Sequence, residues 1–195
     1  MNLPNILTLS RIAVIPVFVL VFYLPFSWAN DAATALFLLA AVTDWLDGWI
    51  ARRFELTSRF GAFLDPVADK LMVAAALVVL VDRNPTPFAG LFLAIPATVI
   101  IGREITISAL REWMAEIGRR AAVKVSWLGK VKTTAQMVAL PLLLYRDPLW
   151  PDGIGAAEIG FFALYLAAIL TLWSMYQYLR AAWPSLRESV AGEAP

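Results

Sequence analysis

The sequence predicts an all-α integral membrane protein, a bundle of six transmembrane helices with an interfacial N-terminal segment. Hydrophobic residues make up 61% of the 195 residues and the mean hydropathy is +0.71, which is too apolar for an ordinary soluble domain. Charged residues are 16% of the chain and are clustered rather than spread. The chain has no internal repeat, so residues 1–195 are expected to form a single membrane domain.

Apolar stretches long enough to cross a bilayer alternate with short groups of turn-forming residues. Pro25, the run at 84–87 and the Pro- and Gly-containing run at 147–153 mark the clearest turns. These breaks leave six helices, at about 5–24, 32–53, 63–81, 88–113, 130–146 and 156–182. The first helix begins with polar side chains, so we expect it to run along the interface before entering the bilayer.

The positions of the cations predict an orientation. Of the 16 Lys and Arg residues, Arg83 and Arg146 fall in the turns on one side, and the others lie at or near the other side. The positive-inside rule therefore places both termini in the cytoplasm. The acidic cluster described next is then on the cytoplasmic side.

The strongest motif is Asp-x-x-Asp-Gly-x-x-Ala-Arg, eight residues, then Gly-x-x-x-Asp-x-x-x-Asp. Its fixed members are Asp44, Asp47, Gly48, Ala51, Arg52, Gly61, Asp65 and Asp69. Ionisable residues inside membrane helices are costly and indicate a functional site. The first two acids are i,i+3 and the last two i,i+4, so each pair faces one way on its helix. A hairpin of the two helices would bring the pairs together.

Four carboxylates at close range need compensating positive charge, because like charges raise each other's pKa. Oxygen ligands of this kind suit Mg²⁺, Mn²⁺ or Ca²⁺ rather than zinc or copper. The chain has no Cys and no His, which excludes a disulfide, a thiol nucleophile and a phosphohistidine intermediate. Any general base must be a carboxylate, a Lys or a Tyr.

A second group of charges is cationic and follows the acidic motif. Its members are Arg103, Arg111, Lys124, Lys130 and Lys132. A charge in the middle of the fourth helix, such as Arg103, must face a polar cavity. The group suits an acceptor that carries its own phosphate, although a surface patch for anionic lipid is the alternative. Glu104 is expected to neutralise Arg111, seven residues further on and on nearly the same face.

The acidic motif resembles, at every specified position, the signature of the CDP-alcohol phosphotransferase family. These integral membrane enzymes move a substituted phosphoryl group from a CDP-linked donor to an alcohol and release CMP. The resemblance implies two Mg²⁺ or Mn²⁺ ions held by the four Asp residues, with Asp69 also acting as the base in a single displacement. It further implies that the cytidine and diphosphate are bound by Gly48, Ala51, Arg52, Gly61, Asn5 and Thr8. Asn5, Thr8 and Arg11 are expected to reach the substrate head group. Interfacial anchoring is the alternative role for these three residues and for Arg52.

The resemblance extends over nearly the whole chain to bacterial members that use CDP-diacylglycerol and sn-glycerol 3-phosphate. The similar segments are residues 2–8 with Arg11, 43–70, 103–113 and 125–133. It implies a homodimer in the bacterial inner membrane, in contact with membrane lipids and with no nucleic acid. Members with another acceptor, namely cardiolipin or phosphatidylinositol-phosphate synthases, remain open, while the cationic group argues against phosphatidylserine synthesis. A cation transporter is the other alternative, and its acids would be expected along a path across the bilayer.

Overall fold

The computed structural model describes residues 3–54, 59–118, 127–146 and 155–192, and the side chains of some residues at helix ends lie outside that description. The described chain is all-α, as predicted. Its six helices are α1 (Leu3–Tyr23), α2 (Ala29–Arg53), α3 (Arg59–Asp82), α4 (Gly90–Glu116), α5 (Trp127–Tyr145) and α6 (Ala156–Gly192). Most bounds agree with the sequence to within a few residues. The exception is α6, which continues past the expected end near residue 182. Its backbone stays helical beyond the point where the apolar pattern of the sequence ends.

Four of the described helices contain stretches long and apolar enough to span a membrane. These are Ile6–Tyr23, Ala29–Ile50, Gly90–Glu116 and Ala156–Arg187. In α3, the charged residues Asp65, Asp69 and Lys70 lie close together and interrupt the apolar stretch. The protein is therefore a membrane-embedded helical bundle.

Successive helices run in opposite directions through the bundle. Helix α1 lies against α2 and α3, α4 contacts α3 and α6, and the most extensive contact is between α5 and α6. Gly160 lies at this last contact, where an added Cβ would be 2.9 Å from Leu143 Cγ and 3.0 Å from the Ala139 carbonyl oxygen. The absence of a side chain at Gly160 therefore allows the two helices their close approach.

The bundle has two chemically different ends. We call the "far end" the one where α1, α3 and α5 finish and α2, α4 and α6 begin, and the opposite one the "site end". The far half contains the larger apolar core, whose fully buried side chains include Phe18, Phe22, Phe37, Leu77, Leu80, Leu93, Leu140, Leu143 and Leu144. A smaller apolar cluster joins α4 to α6 toward the site end, around Met114 and Tyr178.

The two arginines of the turns meet at the far end. Arg146 Nη2 donates a hydrogen bond to the Arg83 carbonyl oxygen at 3.1 Å. The Arg83 guanidinium lies 4.7 Å from the centre of the Tyr23 ring, and Tyr23 Oη donates to Asp82 Oδ2 at 2.7 Å. Both arginines are thus on one side of the bundle, away from the acidic motif, as the turn positions indicated.

Candidate active site

The two acidic pairs occupy neighbouring helices at the site end. Asp44 and Asp47 lie in the second half of α2, and Asp65 and Asp69 lie in the first half of α3. Asp44, Asp65 and Asp69 line one cavity of about 360 Å³, while Asp47 is buried beside it. The i,i+3 and i,i+4 spacings place these carboxylates on the facing sides of two packed helices.

Helix α1 supplies polar partners to this acidic cluster. The Arg11 guanidinium donates from Nη1 to Asp44 Oδ1 at 2.5 Å and from Nη2 to Asp47 Oδ2. One turn earlier, Thr8 Oγ1 donates to Asp65 Oδ1 at 2.7 Å. Both α1 side chains are buried, so the face of α1 that carries them closes over both acidic pairs.

The donor chemistry of the cluster fits a hard divalent cation. Its ligands are carboxylate oxygens, which Mg²⁺ and Mn²⁺ prefer, and three of them share one cavity. Among the residues that the structure describes, no three acidic side chains are gathered closely enough to coordinate a single ion. The Arg11 guanidinium provides positive charge between Asp44 and Asp47 instead.

Helix α4 provides the cationic wall of the same cavity. Arg103 and Arg111 line it together with the three acids. Arg103 is buried and donates to Ser174 Oγ of α6 at 3.2 Å, and Arg111 Nη2 donates to Tyr178 Oη at 2.8 Å. The two guanidinium groups lie 5.5 Å and 5.1 Å from the centre of the Tyr178 ring, within the range of cation–π attraction.

Lys132 and Glu104 form the centre of a second polar network. A cavity of about 170 Å³ is lined by Asp69, Arg103, Arg111, Glu104 and Lys132. Within the described residues, Glu104 forms ion pairs with Lys132 and, at 3.1 Å, with Arg103. The expectation that Glu104 neutralises Arg111 was therefore wrong, because Arg111 turns toward Tyr178 of α6.

The other predicted site residues have positions that the structure describes only in part. Gly48 directly follows Asp47 in α2, and Gly61 is buried in α3 one turn before Asp65. The side chains of four further predicted residues lie outside the description, although their backbone is helical: Asn5, Ala51, Arg52 and Lys130. Lys124 lies in the segment 119–126, which the structure does not describe.

Several residues of the site were not singled out by the sequence. Tyr178 and Ser174 contact the two arginines of α4 from α6, and Ser108 accepts a hydrogen bond from Lys70 Nζ. Tyr178 and Ser174 lie far along the chain from the motif, in an apolar helix, where a lone Tyr or Ser carries no local signal. Their only sequence clue is that they lie four residues apart on one face of a helix.

The arrangement combines a carboxylate cluster with a cationic wall in neighbouring cavities. Asp69 lines the 360 Å³ cavity, the 170 Å³ cavity and a third of about 220 Å³, which is otherwise mostly apolar and includes Arg11 and Asp44. Guanidinium and ammonium groups bind phosphate oxygens, and a carboxylate can accept a proton from a hydroxyl group. A site of this kind can hold a phosphorylated ligand next to a potential base, with an apolar cavity beside it.

Comparison with known proteins agrees with this chemistry. A family described as CDP-alcohol phosphatidyltransferase matches residues 1–173. Proteins from Pectobacterium atrosepticum and Sodalis glossinidius are each 58% identical to the chain, over 96% of it and 98% of their own length. A protein from Escherichia coli is 55% identical over 93% of the chain and 94% of its own length. All three are named CDP-diacylglycerol–glycerol-3-phosphate 3-phosphatidyltransferase.

These matches confirm the resemblance that the acidic motif indicated, and they cover the helices that carry the motif as well as those that carry the cationic wall. The chain belongs to the CDP-alcohol phosphatidyltransferase family.

Proposed function

We propose that the protein transfers the phosphatidyl group of CDP-diacylglycerol to sn-glycerol 3-phosphate, giving phosphatidylglycerophosphate and CMP. It would thus be a CDP-diacylglycerol–glycerol-3-phosphate 3-phosphatidyltransferase. The observation that carries this proposal is the similarity to relatives of that name, at 55–58% identity over at least 93% of both chains. The shared cavity lined by acids and arginines supports it.

On the donor side, the acidic cluster would bind the diphosphate through divalent metal. Asp44, Asp47, Asp65 and Asp69 would hold two Mg²⁺ or Mn²⁺ ions, which neutralise the diphosphate and the CMP leaving group when bound. Gly48, Ala51 and Gly61 would lie beside the cytidine, Arg52 would contact the diphosphate, and Asn5 and Thr8 would approach the head group. The 220 Å³ cavity, with its largely apolar lining, suits the lipid portion next to the acids.

The reaction would be a single displacement at the phosphorus next to the diacylglycerol. A hydroxyl oxygen of the acceptor forms the new P–O bond, and the bond from phosphorus to the CMP oxygen breaks. Asp69 would take the hydroxyl proton, because it lines both the cavity of the acids and the cavity of the cations. The sequence has no His and no Cys to form a covalent phosphoryl intermediate, which is consistent with direct transfer.

On the acceptor side, the cationic wall would bind the phosphate of glycerol 3-phosphate. Arg103, Arg111 and Lys132 line one cavity with Asp69, and Lys124 and Lys130 would complete the group. Guanidinium groups fork onto phosphate oxygens, so two arginines on one helix can hold a phosphate in a defined orientation. Choline or ethanolamine would need carboxylates or an aromatic cage instead.

The membrane arrangement belongs to the same proposal. Residues 1–195 would form one domain with six spans and an interfacial N-terminal segment, in the bacterial inner membrane. Both termini and the site end would face the cytoplasm, since Arg83 and Arg146 are the cations assigned to the other side. The protein would act as a homodimer, as the family resemblance implies.

An acceptor panel in detergent tests the assignment directly. Purified protein with CDP-diacylglycerol and Mg²⁺ should release CMP when sn-glycerol 3-phosphate is added, with far less release for serine or inositol. EDTA should abolish the release, and added Mg²⁺ or Mn²⁺ should restore it. Equal rates with serine or inositol would overturn the acceptor assignment, and full activity in EDTA would overturn the role of metal.

A further inference from the structure

The contacts of Arg11 are unusual for a residue of an apolar membrane helix. Its side chain is buried within the span Ile6–Tyr23, and it bridges two carboxylates of another helix rather than forking onto one. The two carboxylate oxygens that it occupies, Asp44 Oδ1 and Asp47 Oδ2, belong to residues proposed as metal ligands. A cation that bridges two acids in this way compensates their negative charge, as a divalent ion would.

We infer that Arg11 is a built-in counter-cation that competes with divalent metal for Asp44 and Asp47. This inference rests on the proposed function, because it assumes that the acidic cluster binds metal. Thr8 contributes by hydrogen bonding to Asp65, so α1 holds acids of both pairs. With these contacts in place, the described acids are not gathered in threes around one point. For a metal ion to bind, Arg11 must therefore release at least one of the two carboxylates.

The surroundings of Arg11 allow such a movement. Arg11 lines the 220 Å³ cavity together with Asp44 and Asp69, so its guanidinium can change position without unfolding α1. Its Nε is buried and makes no hydrogen bond to the described residues, and within that part of the chain its two terminal nitrogens hold the side chain. Breaking the bridge thus requires the loss of at least one charge-assisted contact, which a bound metal ion would replace.

Direct measurement of Mn²⁺ binding tests the inference without relying on turnover. The full-length protein in detergent is freed of metal with EDTA, and Mn²⁺ binding is followed by electron paramagnetic resonance. Arg11→Gln should bind Mn²⁺ about tenfold more tightly than the parent, because one charge-assisted competitor is worth about that factor. Arg11→Lys keeps the charge but cannot fork onto two acids, so it should show a smaller increase.

Thermal unfolding gives a second readout. Arg11→Gln should lower the midpoint in EDTA, where the bridge is lost, and should lower it less with saturating Mn²⁺. Arg103→Gln is the matched control, because Arg103 lines the 360 Å³ cavity and forms no ion pair with an Asp in the described residues. It should change Mn²⁺ affinity less than about twofold.

The outcomes separate this inference from the proposed function. If the parent does not bind Mn²⁺, the inference and the metal role within the proposed function are both wrong, while CMP release with glycerol 3-phosphate still tests the transfer itself. If the parent binds Mn²⁺ but Arg11→Gln and Arg11→Lys bind it equally or more weakly, Arg11 orients the carboxylates and does not compete. An equal gain in Arg103→Gln would also overturn the inference, since it would trace the effect to net charge alone.

Discussion

The far end and the site end of this bundle are built from the same six helices but differ in the side chains that line the space between them. At the far end, Phe and Leu side chains form the larger apolar core, and Gly160 brings α5 and α6 into close contact. A cavity of about 200 Å³ between α3 and α4 in this half has an apolar lining apart from Thr98. At the site end the helices enclose cavities, lined by carboxylates and by the cations of α4 and α5. The polar side chains there are held by one another rather than by apolar packing.

This contrast indicates that the site residues and the core residues lie at opposite ends of the helices. Helix α3 passes from Asp65 and Asp69 at one end to Leu77 and Leu80 in the core at the other. A buried charge is destabilising unless it is paired, so the site end contributes little net stability and depends on the packed end to hold it together. Substitutions at the two ends should therefore have effects of different kinds.

The largest expected effect is at the acidic cluster. Asp65→Asn should lower the rate of CMP release at saturating substrates by at least ~10²-fold, since it removes a proposed metal ligand from the shared cavity. Single changes at Asp44, Asp47 and Asp69 should cost similar amounts, and double changes should be far from additive. Asp82→Asn at the far end is the matched control and should leave the rate close to that of the parent.

Near-normal turnover of Asp65→Asn would show that the four acids do not act as one unit. A large loss in Asp82→Asn would instead break the contrast between the two ends.

A smaller and more specific effect is expected at the cationic wall. Lys132→Gln or Arg111→Gln should raise the KM for glycerol 3-phosphate by about 10- to 100-fold, because a charged contact to phosphate is worth about 1.5–3 kcal/mol. The KM for CDP-diacylglycerol should change little. Arg146→Gln removes a cation from the far end and serves as the comparison, with both constants unchanged.

Initial rates over a grid of both substrates separate the two constants. A lipid-binding patch would behave differently, because its loss would affect both substrates alike. If Arg103, Arg111, Lys130 and Lys132 could each be changed to Gln with the acceptor KM staying within about twofold of the parent, the acceptor phosphate would bind elsewhere.

The smallest effect on catalysis is expected in the apolar core, where stability should respond instead. Leu80 is fully buried among other far-end side chains. Leu80→Ala should lower the free energy of unfolding by about 2–5 kcal/mol, because the cavity it leaves loses dispersion contacts that lipid cannot restore. The turnover number per folded molecule should be unchanged, as measured by CMP release below the unfolding transition. A tenfold fall in turnover at full folding would mean that the core positions the site.

Much of the fold follows from the sequence because long apolar stretches indicate membrane helices. The turns at Pro25 and at residues 84–87 and 147–153 set the helix bounds to within a few residues. Helices α3 and α5 are not among the candidate spans, and in α3 Asp65, Asp69 and Lys70 interrupt the apolar stretch.

The site was predictable where it is local and not where it joins distant helices. Helical spacing places Asp44 with Asp47 and Asp65 with Asp69, and both pairs lie as predicted on neighbouring helices. The bridge from Arg11 and the contact of Tyr178 with Arg111 depend on which faces of α1, α4 and α6 meet. The spacing of residues within one helix does not indicate which faces of different helices pack together. The wrong partner was predicted for Glu104 for the same reason.

Gly160 has a mechanical consequence that its packing role does not reveal. Helix α6 is continuous from Ala156 to Gly192, so Gly160 and Tyr178 belong to one stiff rod. At 1.5 Å per residue, the two positions are about 27 Å apart along its axis. A tilt of about 5° pivoting at the α5 contact would displace Tyr178 by about 2 Å, enough to shift the arginines it contacts. A substitution at Gly160 that changed the angle between α5 and α6 would therefore also move Tyr178 in the site.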